Sequence, residues 1–236
     1  KPSSAASDVY KRQIHGRALP LAQGVKMANK DLTVIASGGD GDGYAIGMGH
    51  TIHALRRNMN MTYIVMDNQI YGLTKGQTSP SSAKGFVTKS TPKGNIEKNV
   101  APLELALSSG ATFVAQGFSS DIKALTKMIE DAIHHDGFSF VNVFSPCVTY
   151  NKVNTYDWFK EHLTSIDDIE GYDITDKQLA MKTVLDHESL VKGIVYQDTT
   201  TPSYESQISE LEHEALAKRD IHITEETFND LTAQFL

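Results

Sequence analysis

The stretch GGDGDGYAIGMGHTIHALRRNMNMTYIVMDNQIYGLTKGQ, Gly38 to Gln77, decides how this chain folds. It reads as the end of a strand, an acidic glycine turn, an amphipathic helix, a second strand and a polar turn. Just before it, DLTVIAS (Asp31 to Ser37) is a short β-branched run that stops at Gly38 and Gly39, as a buried parallel strand does. From Tyr44 to Arg57 the residues Ala45, Ile46, Ala54 and Leu55 recur on a helical period, and Arg56 and Arg57 occupy the last turn, where cations complement the helix dipole. MTYIVMD (Met61 to Asp67) is the next strand. A strand, helix and strand of this length form a right-handed unit with the strands parallel. Both strands then finish on one sheet edge, so Asp40 and Asn68 face one crevice, where open α/β sheets bind ligands.

The chemistry of that crevice follows from its donors. Magnesium takes oxygen ligands in near-ideal octahedral geometry and shares them with a substrate's phosphates. Asp40, Asn68 and the backbone carbonyl of Ile70 supply the protein's share. Gly39, Gly41 and Gly43 allow close backbone approach, and the amides that open the helix after Asp42 point at an anion. The expected ligand is a magnesium diphosphate. Other motifs fail on the same letters. A dinucleotide fingerprint starting at Gly39 needs glycine at Tyr44. A calcium loop starting at Asp40 needs Asp or Asn at Tyr44, glycine at Ala45 and glutamate at Thr51. GLTKGQT (Gly72 to Thr78) lacks P-loop spacing. A tight turn alone accounts for the glycines and leaves the acids unexplained.

Gly39 to Asn68 resembles the thiamine-diphosphate motif, with GDG at one end and Asp67-Asn68 in place of the usual asparagine pair. More narrowly, HGRALPLAQGVK, GDGDGYAIG, DNQIYGLTKGQTSP and FSPCVTYN are similar to segments of the β subunit of 2-oxoacid:ferredoxin oxidoreductases, nearest the bacterial 2-oxoglutarate type. The resemblance runs from about Ile14 to the C-terminus. It implies a thiamine-diphosphate-binding α/β fold, an open parallel sheet with helices on both faces. It also implies oxidative decarboxylation of a 2-oxoacid to an acyl-coenzyme A, with electrons passing through iron-sulfur clusters to ferredoxin. A partner α subunit would supply the glutamate that assists the aminopyrimidine. By the same resemblance His15, Gly16, Asp42, Gly72 and Leu73 sit against the cofactor, and Arg17 is available for an acidic substrate or the diphosphate. Lys75 replaces a glycine found in relatives that look pyruvate-specific, so it is a candidate for the distal carboxylate of 2-oxoglutarate.

Composition is compatible with this reading. At 236 residues with 40% apolar content the chain supports a real core, and no run is long enough to cross a membrane. A net charge of -7 disfavours nucleic acid and anionic membrane as partners. One cysteine excludes an internal disulfide framework and suits a reducing cytoplasm. KPSSAASDVYKRQ (residues 1–13) is polar and aperiodic and has no apolar core of a secretory signal. It is expected to be a disordered, non-native leader on an N-terminally truncated chain.

The remaining elements follow in order. Leu19 to Ala28 is helical, with Pro20 in the first turn. Ser79 to Pro102 is a basic, proline-containing loop, read as a solvated face or a docking loop for an acidic partner. Leu103 to Ser109 is a helix, Ala111 to Gln116 a strand, Ser119 to His134 a helix capped by Ser119-Ser120, and Ser139 to Phe144 a strand. His134-His135 closes that helix where a cation suits the dipole. Residues 14–149 form the cofactor domain. Residues 150–236 are a mainly helical extension, with helices at Val153 to Ile169 and Thr175 to Leu185 and helical pieces from Gln207 to Phe235. The family places an iron-sulfur ligand at Cys147, with three more from an upstream segment. This chain offers one thiolate, so no cluster is expected in it as written. Two other classes fit part of the pattern, namely a different thiamine decarboxylase or ligase, and a non-catalytic scaffold subunit.

Overall fold

The computed structural model describes residues 14–220 and 222–235. The expected leader, residues 1–13, lies outside them. Six strands form one sheet in the order β1-β2-β4-β3-β6-β5: β1 Ile35–Gly39, β2 Met61–Asp67, β3 Phe113–Phe118, β4 Phe138–Phe144, β5 Thr164–Ser165 and β6 Val191–Gln197. The first four are parallel neighbours, and β6 runs antiparallel to β3. The sheet is therefore mixed rather than wholly parallel. The exception comes from the segment expected to be mainly helical. VKGIVYQ is interrupted by Gly193 at φ 132° and flanked by polar sequence, which hides its strand period.

The helices are α1 Ala18–Ala28, α2 Met48–Arg57, α3 Pro102–Ser108, α4 Ile122–His134, α5 Tyr156–His162, α6 Lys177–Asp186 and α7 Glu225–Ala233. One face of the sheet packs Met61, Tyr63, Val65, Phe138, Phe140 and Val114 against Leu19 and Ala22 of α1, Leu55 of α2, Leu103 and Leu107 of α3 and Val184 of α6. The other packs Phe113, Val141 and Val143 against Met128 and Ala132 of α4. Each fully buried side chain of this size contributes about 1.5 to 3 kcal/mol. α4 is capped by Asp121, whose carboxylate accepts from Ala124 N at 3.4 Å. Ser119, expected to help as cap, instead carries a buried hydroxyl without a partner among the described residues. The helix expected over Val153 to Ile169 is shorter, because Thr155 caps it at its start and Leu163 is already extended.

At the edge opposite the crevice, the C-terminal segment is tied to the sheet by a buried polar knot. Asn58, left-handed at the end of α2 with φ 53°, accepts on Oδ1 from Phe138 N at 2.8 Å and from Thr112 Oγ1 at 2.6 Å. Its amide donates to Pro202 O at 3.1 Å. Thr112 Oγ1 has spent its hydrogen on Asn58, so His135 Nε2, 2.7 Å away, is the donor to it. Gly137 passes so close that a Cβ there would meet Asn58 Oδ1 and Thr112 Oγ1, both at 2.7 Å. His135 is thus not a solvated cation complementing a helix end. Burial depresses its basicity below the ordinary 6.5. Because its folded pKa lies below the unfolded one, its contribution to stability is present above about pH 6.5 and is lost as pH falls below it. Chemical denaturation between pH 7.5 and 5.5 is expected to show wild-type stability declining on acidification, with a shallower decline in His135→Gln.

Candidate functional site

The acidic glycine turn does not run straight into a helix. Residues Asp42–Ile46 form a π-helical turn, closed by Gly47 N donating to Asp42 O at 3.0 Å, and α2 starts only at Met48. The extra residue per turn shifts the phase of the helix by about 100°. Ala45 and Ile46, expected on the buried face, are consequently exposed, and Tyr44 goes in instead. The Tyr44 hydroxyl donates to Asn142 Oδ1 at 2.7 Å, Asn142 Nδ2 donates to Gln116 Oε1 at 2.9 Å, and Gln116 Nε2 donates to Ser189 O and Val191 O, each at 2.7 Å. This buried amide row anchors the turn to the middle of the sheet.

A cleft of about 620 Å³ opens at the carboxyl ends of β1 and β2. Its lining includes His15, Gly39, Asp40, Gly41, Asp42, Asn68, Ile70, Tyr71, Gly72 and Leu73. The crevice inferred for Asp40 and Asn68 is therefore present, and Gly16, though not in the lining, lies directly behind it. Asp42 turns back toward the HGR segment: its Oδ1 accepts from Gly16 N at 2.6 Å and lies 3.0 Å from His15 Nδ1. Gly16 has φ 75°, and a Cβ on it would meet Ile46 Cγ2 at 2.5 Å. Gly41 is equally constrained, since a Cβ there would sit 2.1 Å from the Tyr71 ring. Asn68 Oδ1 accepts from Ile70 N at 3.1 Å, an Asx turn that fixes the amide oxygen at the strand end.

Three expected site residues, besides Gly16 behind it, stand apart from the cleft lining. Arg17 is exposed, and its Nη1 donates to Gly16 O at 3.1 Å and Ile46 O at 3.3 Å, which braces the π turn. Lys75 is exposed in a turn closed by Lys75 N to Gly72 O and Gly76 N to Tyr71 O, with φ 73°. Cys147 is half-buried and free in the loop after β4.

Sequence reading missed the carboxylate behind the cleft. Asp67 ends β2 on its inner face, and Ser81 Oγ lies 2.7 Å from Asp67 Oδ1 and 2.5 Å from Asp40 Oδ2. A hydroxyl carries one hydrogen, so the second contact closes only when a carboxyl supplies a proton. Burial, reinforced by the charge of Asp40, pushes Asp67 up to about 7. Burial also raises Asp40 above the ordinary carboxylate range. The signal was in the sequence, since Asp67 stands where the motif usually has an asparagine.

The donor set fits a magnesium diphosphate. It offers carboxylate, amide and carbonyl oxygens at adjacent strand ends, backed by a glycine at Gly41 where no side chain fits. Residues 7–143 match the model of the thiamine pyrophosphate enzyme C-terminal TPP-binding domain, and residues 147–213 match that of the C-terminal part of the pyruvate ferredoxin oxidoreductase β subunit. The β subunit of a 2-oxoacid:ferredoxin oxidoreductase from Sulfolobus sp is 42% identical over 205 residues, 83% of this chain and 67% of that protein. The chain belongs to the β-subunit family of the 2-oxoacid:ferredoxin oxidoreductases.

Within this family, the 2-oxoglutarate oxidoreductase subunit KorB of Mycobacterium tuberculosis is 47% identical over 138 residues, 58% of this chain and 37% of that protein. A solved 2-oxoglutarate:ferredoxin oxidoreductase from Magnetococcus marinus, with 2-oxoglutarate, coenzyme A and succinyl-CoA bound, superposes with a TM-score of 0.81 at 37% identity. That match covers 92% of this chain and 73% of the solved one. The cleft thus lies in a thiamine diphosphate-binding domain, and membership of a β-subunit family implies an α-subunit partner. No helix among the described residues is long and apolar enough to cross a membrane.

Proposed function

We propose that this chain binds magnesium thiamine diphosphate in a complex that oxidatively decarboxylates 2-oxoglutarate, transferring the acyl group to coenzyme A and electrons to ferredoxin. The observation that carries it is the meeting of Asp40, Asn68 and Ile70 at one glycine-lined cleft between adjacent parallel strands. Asp40 Oδ1, Asn68 Oδ1 and the Ile70 carbonyl are the protein's metal ligands, and Gly39 and Gly41 admit the diphosphate. When bound, the cofactor supplies the nucleophilic carbon and the electron sink for decarboxylation. This chain's residues bind and orient it. Asp42 holds His15 and Gly16 at the cleft, and the Asx turn of Asn68 presents Ile70. Arg17 stiffens the π turn in the apo geometry. Cys147 is the one thiolate this sequence offers and a four-iron cluster needs four, so no cluster is expected in the chain as written, and ferredoxin reduction depends on three thiolates supplied with it. The test is reconstitution with the partner subunit: ferredoxin reduction should require 2-oxoglutarate, coenzyme A and magnesium together. Turnover without ferredoxin would favour a non-oxidative thiamine enzyme, and cofactor binding without turnover a scaffold subunit.

Lys75 carries the substrate part of the proposal. At φ 73° its backbone is left-handed, a conformation free for glycine and costly for a lysine, roughly 1 kcal/mol. A lysine at a position that suits glycine places a cationic point charge in this turn, and a second carboxylate is what such a charge selects. A charge-assisted contact of about 1.5 to 3 kcal/mol corresponds to about ten- to a hundredfold discrimination. Lys75→Gly should lower the ratio of specificity constants for 2-oxoglutarate over pyruvate by that factor; an unchanged ratio removes Lys75 from substrate choice.

A further inference from the structure

The basic loop after the cleft was expected to be a solvated face or a docking loop, yet its first turn is buried. Ser79, Ser81 and Ser82 are 6%, 3% and 1% exposed. The Ser79 hydroxyl donates to Asp40 Oδ2, and Ser81 Oγ reaches the same oxygen at 2.5 Å. Among the described residues no side chain bonds Asp40 Oδ1. The turn that carries these hydroxyls is rigidly fixed. Ser79 N donates to Ser82 Oγ at 2.8 Å, Ser82 N to Ser79 O at 3.0 Å, and Val100 N to Pro80 O at 2.8 Å. Ser82 Oγ in turn donates to Gln69 O at 2.6 Å, and Asn95 Nδ2 to Ser82 O at 3.2 Å. The turn therefore grips the residue that follows Asn68 with one serine and Asp40 with the other two.

We propose that Ser79 and Ser81 are positioning residues for the metal: together they hold Asp40 by one carboxylate oxygen and leave the other oriented for an octahedral cation. The inference rests on the reading of Asp40 as a metal ligand and adds a device that the motif itself does not contain. The physical need is plain. The terminal torsion of an aspartate is broad, so a carboxylate without partners samples many planes. Contacts from two hydroxyls on one oxygen select one plane. Magnesium demands near-ideal octahedral geometry, whereas calcium accepts variable geometry and more ligands. Loss of the clamp must therefore weaken magnesium more than calcium, while a general loosening of the fold weakens both alike.

The experiment uses the assembled complex with the partner subunit. Thiamine diphosphate binding is titrated calorimetrically with Mg²⁺ and with Ca²⁺ for wild type, Ser79→Ala, Ser81→Ala, the double variant and Ser81→Thr. Hydrogen bonds to charged groups of this kind correspond to about tenfold to a hundredfold in affinity. The apparent Mg²⁺ affinity should fall by that factor in Ser81→Ala, the Ca²⁺ affinity by distinctly less, and Ser81→Thr should keep the wild-type Mg²⁺ to Ca²⁺ ratio. Thermal melts of the cofactor-free complex confirm folding, and the single variants decide the matter if the double variant does not fold. Folded alanine variants with an unchanged ratio, or with both cations weakened equally, overturn the clamp. If Asp40→Ala itself leaves metal-dependent binding intact, the reading of the metal site is overturned first and the clamp with it.

Discussion

Asp40→Ala is expected to abolish magnesium-dependent binding of thiamine diphosphate while leaving the cofactor-free protein as stable as wild type, or more so. The two effects have separate causes. Alanine removes the one cleft carboxylate assigned to the metal and leaves the diphosphate charge uncompensated. Loss of a partner that merely orients a metal ligand costs about 10- to 100-fold in affinity, so loss of the ligand itself should exceed that range. In the absence of metal, however, Asp40 is a buried carboxylate facing Asp67 across one serine hydroxyl, and burial already raises its pKa. Removing a like charge from that pair relieves repulsion. Calorimetric titration and a thermal melt of the same preparation read both effects. Unchanged magnesium-dependent affinity would falsify the assignment, and a large fall in apo stability would show that Asp40 serves the fold rather than the ligand.

Gly47→Ala is expected to lower both stability and function, since among the described glycines a Cβ here would come nearest to a backbone atom. A Cβ at this position would stand 2.3 Å from Asp42 O and 3.2 Å from Gly16 Cα, both backbone atoms that cannot swing aside. The π turn would have to open, because Gly47 N closes it on that same Asp42 carbonyl. Overpacking of this kind costs about 1 to 3 kcal/mol, and more when backbone must move. Opening the turn also releases Asp42 from Gly16 N and shifts the neighbouring Asp40. A drop in denaturation midpoint accompanied by weaker cofactor binding is the expected result. Gly49→Ala is the control, since a Cβ there meets nothing within 4 Å and alanine should stabilise the helix slightly.

Much of this was legible in the residues, for identifiable reasons. Strand β2 could be bounded to the residue because its apolar run stops abruptly at Asp67-Asn68. Asp40 and Asn68 could be brought together because a right-handed crossover leaves two parallel strands no other arrangement. The π turn could not be read, since an insertion of one residue in helical phase has no letter of its own; it shows only afterwards, as Ile46 left in solvent. The serine turn was hidden by the lysines after it, Lys84, Lys89, Lys93 and Lys98, which suggested a surface loop. Strand β6 was hidden because Gly193 and Lys192 break its alternation, and Lys192 is held 3.1 Å from Asp121 across the sheet. His135 was misread because its neighbour in sequence is a helix terminus, whereas its environment is made by Asn58 and Thr112, remote in sequence.

The antiparallel pairing of β6 with β3 sets a timetable for assembly during synthesis. Phe118, the end of β3, leaves the ribosome well before Gln197, the end of β6. Translation proceeds at about 5 to 20 residues per second, which leaves β3 waiting for roughly 4 to 16 seconds. Throughout that interval one side of β3 is an open hydrogen-bonding edge, and the Gln116 amide lacks the carbonyls of Ser189 and Val191. An open edge beside Phe113 and Val114 is a template for the wrong strand. Nascent chains of this protein should therefore be most vulnerable to aggregation in a narrow window, and chaperone occupancy on the ribosome should fall when residues 191–197 emerge.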